Sequence, residues 1–206
     1  MIPLMVDLQK KTVMIFGGGR VGLRKAAFFC KNSDVRVISR SFVPEFSGMG
    51  VECIGMDIAA LSDGELSSLL DGVFLAVAAT TDEEQNNRIG RICSEAGVLF
   101  NNARGDPGDV IIPSVIHGEN YVLAISTGGS SPAVSRFIRE FIERSCPNLD
   151  AMIALQVRLR SHLKSSQPDI AKRNELIRDI LYDREVWNAL EKGEEEAWKT
   201  IEAGYL

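Results

Sequence analysis

The chain has 206 residues, 45% hydrophobic and 25% charged, a globular composition with length for one sizeable core or for one domain with an appendage. No low-complexity tract appears, and the longest apolar run, Val73 to Ala79, is far too short to span a bilayer, so extended disorder and a membrane-spanning helix are both excluded. The formal charge of −5 is concentrated in residues 169–206, and an acidic chain of this kind argues against nucleic acid as the main partner.

Short β-rich runs alternate with helical patterns through residue 112. Thr12–Phe16 is a compact apolar strand, followed by three glycines and a helix from Arg20 to Lys31. Val35–Ser39 and Val51–Ile54 read as further strands, and a helix over Ala59–Leu70 leads to Val73–Ala79, whose unbroken apolar character suits a strand buried on both faces. Asp82 caps a helix from Glu83 to Glu95, Gly97 ends it, and Val98–Asn101 is the next strand. Strand–helix alternation with short links predicts an α/β fold: a Rossmann-type parallel sheet covered by helices. After Pro113 the pattern changes. Tyr121–Ser126 is one more strand, Ser131 and Pro132 open a helix with apolar Val134, Phe137, Ile138, Phe141 and Ile142, and everything beyond Leu149 reads helical. The expected division is a dinucleotide-binding domain (1–112), a linking segment (113–147) and a helical domain (148–206). The opening residues, with Asp7 early and basic residues late, are the reverse of a secretory leader. Cys30, Cys53, Cys93 and Cys146 lack CxxC spacing and read as reduced core thiols, so the expected location is the cytoplasm.

The strongest local signal is Gly17-x-Gly19-x-x-Gly22, directly after a strand and opening a helix. In that context Gly17 permits the tight turn, Gly19 lets backbone approach a pyrophosphate, Gly22 allows close helix–strand packing, and the helix N-terminus offers its N–H groups. The second strand ends Ser39-Arg40-Ser41, with no Asp or Glu for a ribose; Arg40 suits a 2′-phosphate, and spacing alone leaves NAD and NADP level. Thr80 and Thr81 follow the fourth strand at the edge where open sheets bind ligands, and the loop Asn101–Asp109 adds Arg104, Asp106 and Asp109, a cation beside two candidate bases. The turn Thr127–Pro132, with Gly128 and Ser130, is a seat for a carboxylate at a helix N-terminus, and Arg136 and Arg139 lie one or two turns further in. His117 and His162 stand far apart, which disfavours a histidine metal cage.

Four blocks occur together in order and spacing: Pro3-Leu4-Met5-Val6-Asp7-Leu8, Gly17-Gly18-Gly19-Arg20-Val21-Gly22-Leu23-Arg24-Lys25, Ala78-Ala79-Thr80-Thr81-Asp82, and Ile125-Ser126-Thr127-Gly128-Gly129-Ser130-Ser131-Pro132-Ala133. With Ile112-Pro113-Ser114 they resemble the precorrin-2 dehydrogenase / sirohydrochlorin ferrochelatase family, the N-terminal half of sirohaem synthases, over about residues 1–145. The resemblance implies NAD-dependent oxidation of precorrin-2 to sirohydrochlorin, with Fe²⁺ or Co²⁺ insertion in some members. It also implies a homodimer built largely through residues 113–147. The cofactor would meet Arg20, Val21, Arg40 and Ser41 besides the glycines, and family precedent favours NAD over NADP. One departure stands out. Members often read Asn-Val-Val-Asp-Asp/Ala-Pro, the first Asp acting as acid–base residue. Here Asn102-Ala103-Arg104-Gly105-Asp106-Pro107 puts Gly105 at that place, leaving Asp106 and Asp109 as candidates.

Precorrin-2 carries many carboxylates, so Arg104, Arg136 and Arg139 are the expected basic contacts, Arg being suited to bidentate carboxylate binding. Two other readings share the glycine loop: a non-catalytic nucleotide-binding regulatory module, and a chelatase-only enzyme with a vestigial nucleotide site. The Arg104–Asp109 loop and the Thr127–Pro132 turn argue against the first, and the intact glycines against the second.

Overall fold

Alternating apolar side chains over Thr12–Phe16 make β1, the central strand of a sheet in the computed structural model, which describes residues 1–206. On its two sides β2 (Asp34–Ser39) and β4 (Val73–Ala78) pair with it in parallel; β3 (Glu52–Gly55) extends the sheet beyond β2, and β5 (Leu99–Asn102) beyond β4. Period-two alternation sends Val13 and Ile15 to one face, where they pack with Ala26 and Phe29 of α1 (Arg20–Phe29). Met14 and Phe16 go to the other face, against Leu66 of α2 (Asp63–Leu69) and Ile89, Ile92 and Cys93 of α3 (Glu83–Ala96). Both faces are therefore covered, as a parallel sheet requires, and each large side chain so enclosed stabilises the fold by about 1.5–3 kcal/mol.

Local signals set the helix limits. Ser62 and Glu65 form a reciprocal capping box on α2, the Ser62 N–H donating to the Glu65 carboxylate at 2.8 Å. The helix expected from Ala59 thus starts only at Asp63; before it stands a separate 3₁₀ turn, Ile58–Ala60, capped by Asp57. Asp82 accepts from the Gln85 N–H at 3.1 Å to cap α3, and Gly97, at φ +69°, closes it. Asp63 clamps α2 to α3 by accepting from Arg88 at 2.8 Å and Arg91 at 2.7 Å, and these guanidinium bonds hold its carboxyl below the usual range.

This sheet domain, Met1–Ile112, is one compact unit and Pro113–Leu206 a second. The second begins with an antiparallel hairpin, β6 (Ser114–His117) and β7 (Val122–Ile125), where only one strand was expected. The helices α4 (Pro132–Ser145), α5 (Leu149–Ser166), α6 (Ile170–Tyr182), α7 (Arg184–Leu190) and α8 (Glu194–Tyr205) follow. Their core joins Met152, Leu155, Leu159 and Leu163 to Ile180, Val186, Trp198 and Ile201. His162 packs edge-on against Trp198, with ring centroids 5.6 Å apart. Phe137 and Phe141 of α4 stack on each other at 6.4 Å and remain exposed. No helix is long and apolar enough to cross a membrane. All four cysteines are free, but only Cys93 is a core thiol; Cys30 is half-buried and Cys53 and Cys146 are exposed, because their segments turn those positions outward.

Candidate functional site

The turn between β1 and α1 is shaped by its neighbours. Gly17 sits at φ +124°, and a β-carbon there would lie 2.5 Å from the Ala79 carbonyl oxygen. At Gly18 it would overlap the Ser41 carbonyl, and at Gly22 the Gly17 carbonyl. Gly19 differs: a β-carbon there would meet nothing within 4 Å. The protein's own packing accounts for three glycines and leaves the fourth unexplained. Gly19 is the N-cap of α1, with no side-chain cap and no acidic residue in the first turn, so the helix N–H groups face outward without a protein partner.

Gly17, Gly18 and Gly19 line a cleft of about 540 Å³ at the carboxyl edge of the sheet. Ser39, Arg40, Ser41, Thr80 and Thr81 line it as well, so the structure brings together these sequence-derived cofactor residues. Arg20, Val21 and Gly22 lie on α1 outside the cleft wall, Gly22 as the helix–turn contact. Phe42, Asp57 and Gln85 also line the cleft and were missed in the sequence. Arg40 is not simply solvated: its Nη1 stands 3.7 Å from the Asp57 carboxylate. The Gln85 Nε2 is buried with no hydrogen-bond partner. An open approach to Gly19, a bare helix N-terminus and an orphaned amide donor fit a dinucleotide phosphate and its attached nucleoside. The Thr80 hydroxyl, in contrast, is occupied within the protein, donating to Asn86 Oδ1 at 2.6 Å.

Two adjacent asparagines of α3 hold the loop after β5. Asn86 donates to the Arg104 carbonyl at 3.1 Å, and Asn87 accepts from the Asp106 N–H at 2.9 Å and from Asn102 at 3.1 Å. This clamp explains Gly105: it sits at φ +118°, and a β-carbon there would crowd Asn87. Arg104 reaches the Thr81 carbonyl at 3.4 Å. The two candidate carboxylates have different surroundings. Asp109 accepts from the Phe100 N–H at 3.2 Å, whereas the exposed Asp106 carboxylate has no protein partner. Burial, reinforced by the Asp109 charge, pushes the Cys93 thiol up to about 12, so it is an inert thiol at neutral pH.

In the second unit the turn Thr127–Pro132 closes on itself. Thr127 Oγ1 accepts from the Ser131 N–H at 3.0 Å, the Ser130 N–H reaches the Thr127 carbonyl at 3.1 Å, and the Gly128 N–H reaches Ser126 Oγ at 3.1 Å. Arg136 and Arg139 are paired along α4, with Glu140 at 2.7 Å and Glu143 at 2.8 Å. No three of the His, Cys, Asp and Glu side chains gather in a metal-holding group.

Residues 4–114 match the family described as "Putative NAD(P)-binding". A precorrin-2 dehydrogenase of Methanosarcina barkeri is 39% identical over 201 residues, covering 95% of this chain and 89% of that one. A siroheme synthase of Ectopseudomonas mendocina is 34% identical over 87% of this chain, which spans 38% of that longer protein. Among solved structures, "SirC, precorrin-2 dehydrogenase" superposes with a TM-score of 0.73 over 98% of this chain and 100% of that one, at 22% identity, a likeness of fold. The glycine turn opening on its cleft is thus found in a chain similar to these proteins over nearly its whole length, and the chain belongs to the precorrin-2 dehydrogenase family.

Proposed function

We propose that this protein is an NAD-dependent precorrin-2 dehydrogenase that converts precorrin-2 to sirohydrochlorin in sirohaem synthesis. The observation that carries the reading is the open space over Gly19 at the bare N-terminus of α1, in a chain of this family. NAD⁺, when bound, supplies the hydride acceptor. The first-turn N–H groups, beginning at Arg20 and Val21, hold the pyrophosphate, and Ser39, Arg40, Ser41, Thr80 and Thr81 form the walls of the nucleoside pocket. A hydride leaves the macrocycle and a proton must leave with it. Asp106 takes that proton, since Asp109 is engaged by the Phe100 N–H; a positioned carboxylate contributes roughly 10²–10⁴-fold. Arg104 binds substrate carboxylates, and Thr127, Gly128, Ser130, Arg136 and Arg139 serve as further substrate contacts. For the last two this means exchanging an intrahelical glutamate for a ligand carboxylate, a small cost because such helix-surface pairs contribute little.

The working form in this proposal is a homodimer. The support is the unpartnered apolar face of α4, where Val134, Phe137 and Phe141 are each about half exposed or more. Residues 113–147 are then the dimerisation segment and 148–206 a helical domain. The free, exposed Cys53 and Cys146 suit the reducing cytoplasm.

Anaerobic assay with precorrin-2, following sirohydrochlorin absorbance with NAD⁺, with NADP⁺ and without nucleotide, tests the reading. Product should form only with nucleotide and fastest with NAD⁺. Gly19→Val should abolish it while leaving the fold intact, because the added side chain points into open space. Folded wild-type protein that binds dinucleotide yet leaves the spectrum of precorrin-2 unchanged would defeat the assignment in favour of a nucleotide sensor. Adding Fe²⁺ or Co²⁺ after oxidation asks separately whether metal insertion occurs.

A further inference from the structure

We propose that Asp57 is the residue by which this protein accepts NAD and rejects NADP, supplying from just beyond the neighbouring strand the acidic ribose partner that is missing at the end of β2. The inference rests on the reading of the cleft as the dinucleotide site. In folds of this type an Asp or Glu near the end of the second strand accepts from the ribose 2′-hydroxyl, or an Arg there receives a 2′-phosphate. The end of β2 here carries Ser39, Arg40 and Ser41, a pattern that offers a cation for a phosphate but no acid for a ribose and leaves the two cofactors level. The sheet changes that conclusion. Ser39 pairs in parallel with Gly55, and the Met56 N–H donates to the Ser39 carbonyl at 3.0 Å, so the chain leaving β3 runs beside the chain leaving β2. The next residue is Asp57.

Three features make Asp57 a selector. Asp57 lines the cleft with Ser39, Arg40 and Ser41. It is fixed in place, because one oxygen accepts from the Ala59 N–H at 3.1 Å and caps the following 3₁₀ turn. The other oxygen lies 3.7 Å from Arg40 Nη1, beyond hydrogen-bond distance but within ion-pair range of the one cation that lines the cleft. A 2′-hydroxyl can donate to this carboxylate. A 2′-phosphate would meet a like charge and find Arg40 already compensated, so exclusion comes from repulsion as well as from a lost bond.

Equilibrium titration with NADH and with NADPH, read by nucleotide fluorescence and needing no tetrapyrrole, tests this. Wild-type protein should bind NADH at least about tenfold more tightly than NADPH. Asp57→Asn keeps an oxygen for the Ala59 cap, and should weaken NADH about tenfold while strengthening NADPH, since Arg40 is released toward the phosphate. A gain in NADPH affinity cannot come from misfolding. Arg40→Ala should keep the NADH preference, and Asp57→Asn with Arg40→Ala should lose the NADPH gain. An unchanged NADH-to-NADPH ratio in Asp57→Asn overturns the proposal and leaves the cleft assignment standing, as does an Arg40→Ala protein that prefers NADPH. Wild-type protein that binds neither nucleotide overturns the cleft assignment itself.

Discussion

Two turns in this chain are rich in glycine and lead into a helix N-terminus, yet they hold their glycines for different reasons. In Gly17–Gly22 the constraint is chiefly space: β-carbons at positions 17, 18 and 22 would strike backbone carbonyls, only Gly19 opens outward, and Gly17 alone adds a positive φ, +124°. In Thr127–Pro132 the constraint is dihedral. Gly128 stands at φ +64° and Gly129 at φ +87°, and a β-carbon at Gly128 would meet nothing within 4 Å. The first turn is pressed against the strands beside it and leaves its helix N–H groups bare. The second is closed by its own Thr127 and Ser131 hydroxyls, and Ser131 Oγ occupies the Val134 N–H at 3.4 Å. Similar composition therefore conceals opposite chemistry: an anion can enter the first turn directly, whereas in the second it must displace bonds already made. The helices differ too. Along α4 the exposed Arg136 and the half-buried Arg139 are both paired with glutamates, while on α1 the half-buried Lys25 has no carboxylate partner.

The largest effect that would break this contrast is at Gly22. Gly22→Ala places a methyl group into the Gly17 carbonyl, and neither backbone can yield, so urea unfolding should show a loss of about 3 kcal/mol or more. A loss below about 1 kcal/mol would mean the first turn is not held by space. Gly128→Ala adds no clash and only asks an L-residue to adopt a left-handed conformation, so about 1 kcal/mol is expected in the same measurement. Equal losses at the two sites would erase the distinction. The third effect concerns the helices. Burial, with Arg24 beside it, lowers the Lys25 amine from 10.5 to about 8. Between those values the unfolded chain keeps a proton that the native protein has released, so this group makes stability rise with pH; below about 8 both forms are charged and the penalty is complete. Lys25→Met should accordingly melt higher than wild type at pH 7, with the gap closing as pH rises toward 10.5. A gap that does not move with pH would place the effect in packing alone.

Elements made by local pattern were legible in the sequence. The bounds of β1 agree to the residue, because an unbroken apolar run ends at a glycine turn, and the Asp82 cap and Gly97 stop delimit α3 as expected. Strand β6 is harder to read from the letters: it is short, follows Pro113 and carries Ser114 and His117, although a Gly118-containing loop before β7 is a hairpin signal. The glycine motif and the residues flanking it could be read because their spacing is the motif. Asp57 could not, since it reaches Arg40 through the pairing of β2 with β3, a relation between distant segments that spacing does not display. The roles of Asn86 and Asn87 were hidden similarly: as letters they are polar residues early in a helix, and only the fold hangs a loop on them. That same loop accounts for Gly105 in place of the expected acid, since the backbone there turns through positive φ against Asn87.

The strand order β3-β2-β1-β4-β5 also has a consequence in time. The central strand is the first one synthesised, and one of its two edges is reserved for β4, which begins only at Val73. At about 5–20 residues per second, the nascent chain carries an unpaired edge of Thr12–Phe16 for roughly 3–11 s. The wall opposite the glycine turn, Ala79 and Thr80, arrives with that same late strand. A dinucleotide thus has no completed cleft to enter while the edge is open; it can hold together a sheet that has already closed, but it cannot guide the closing.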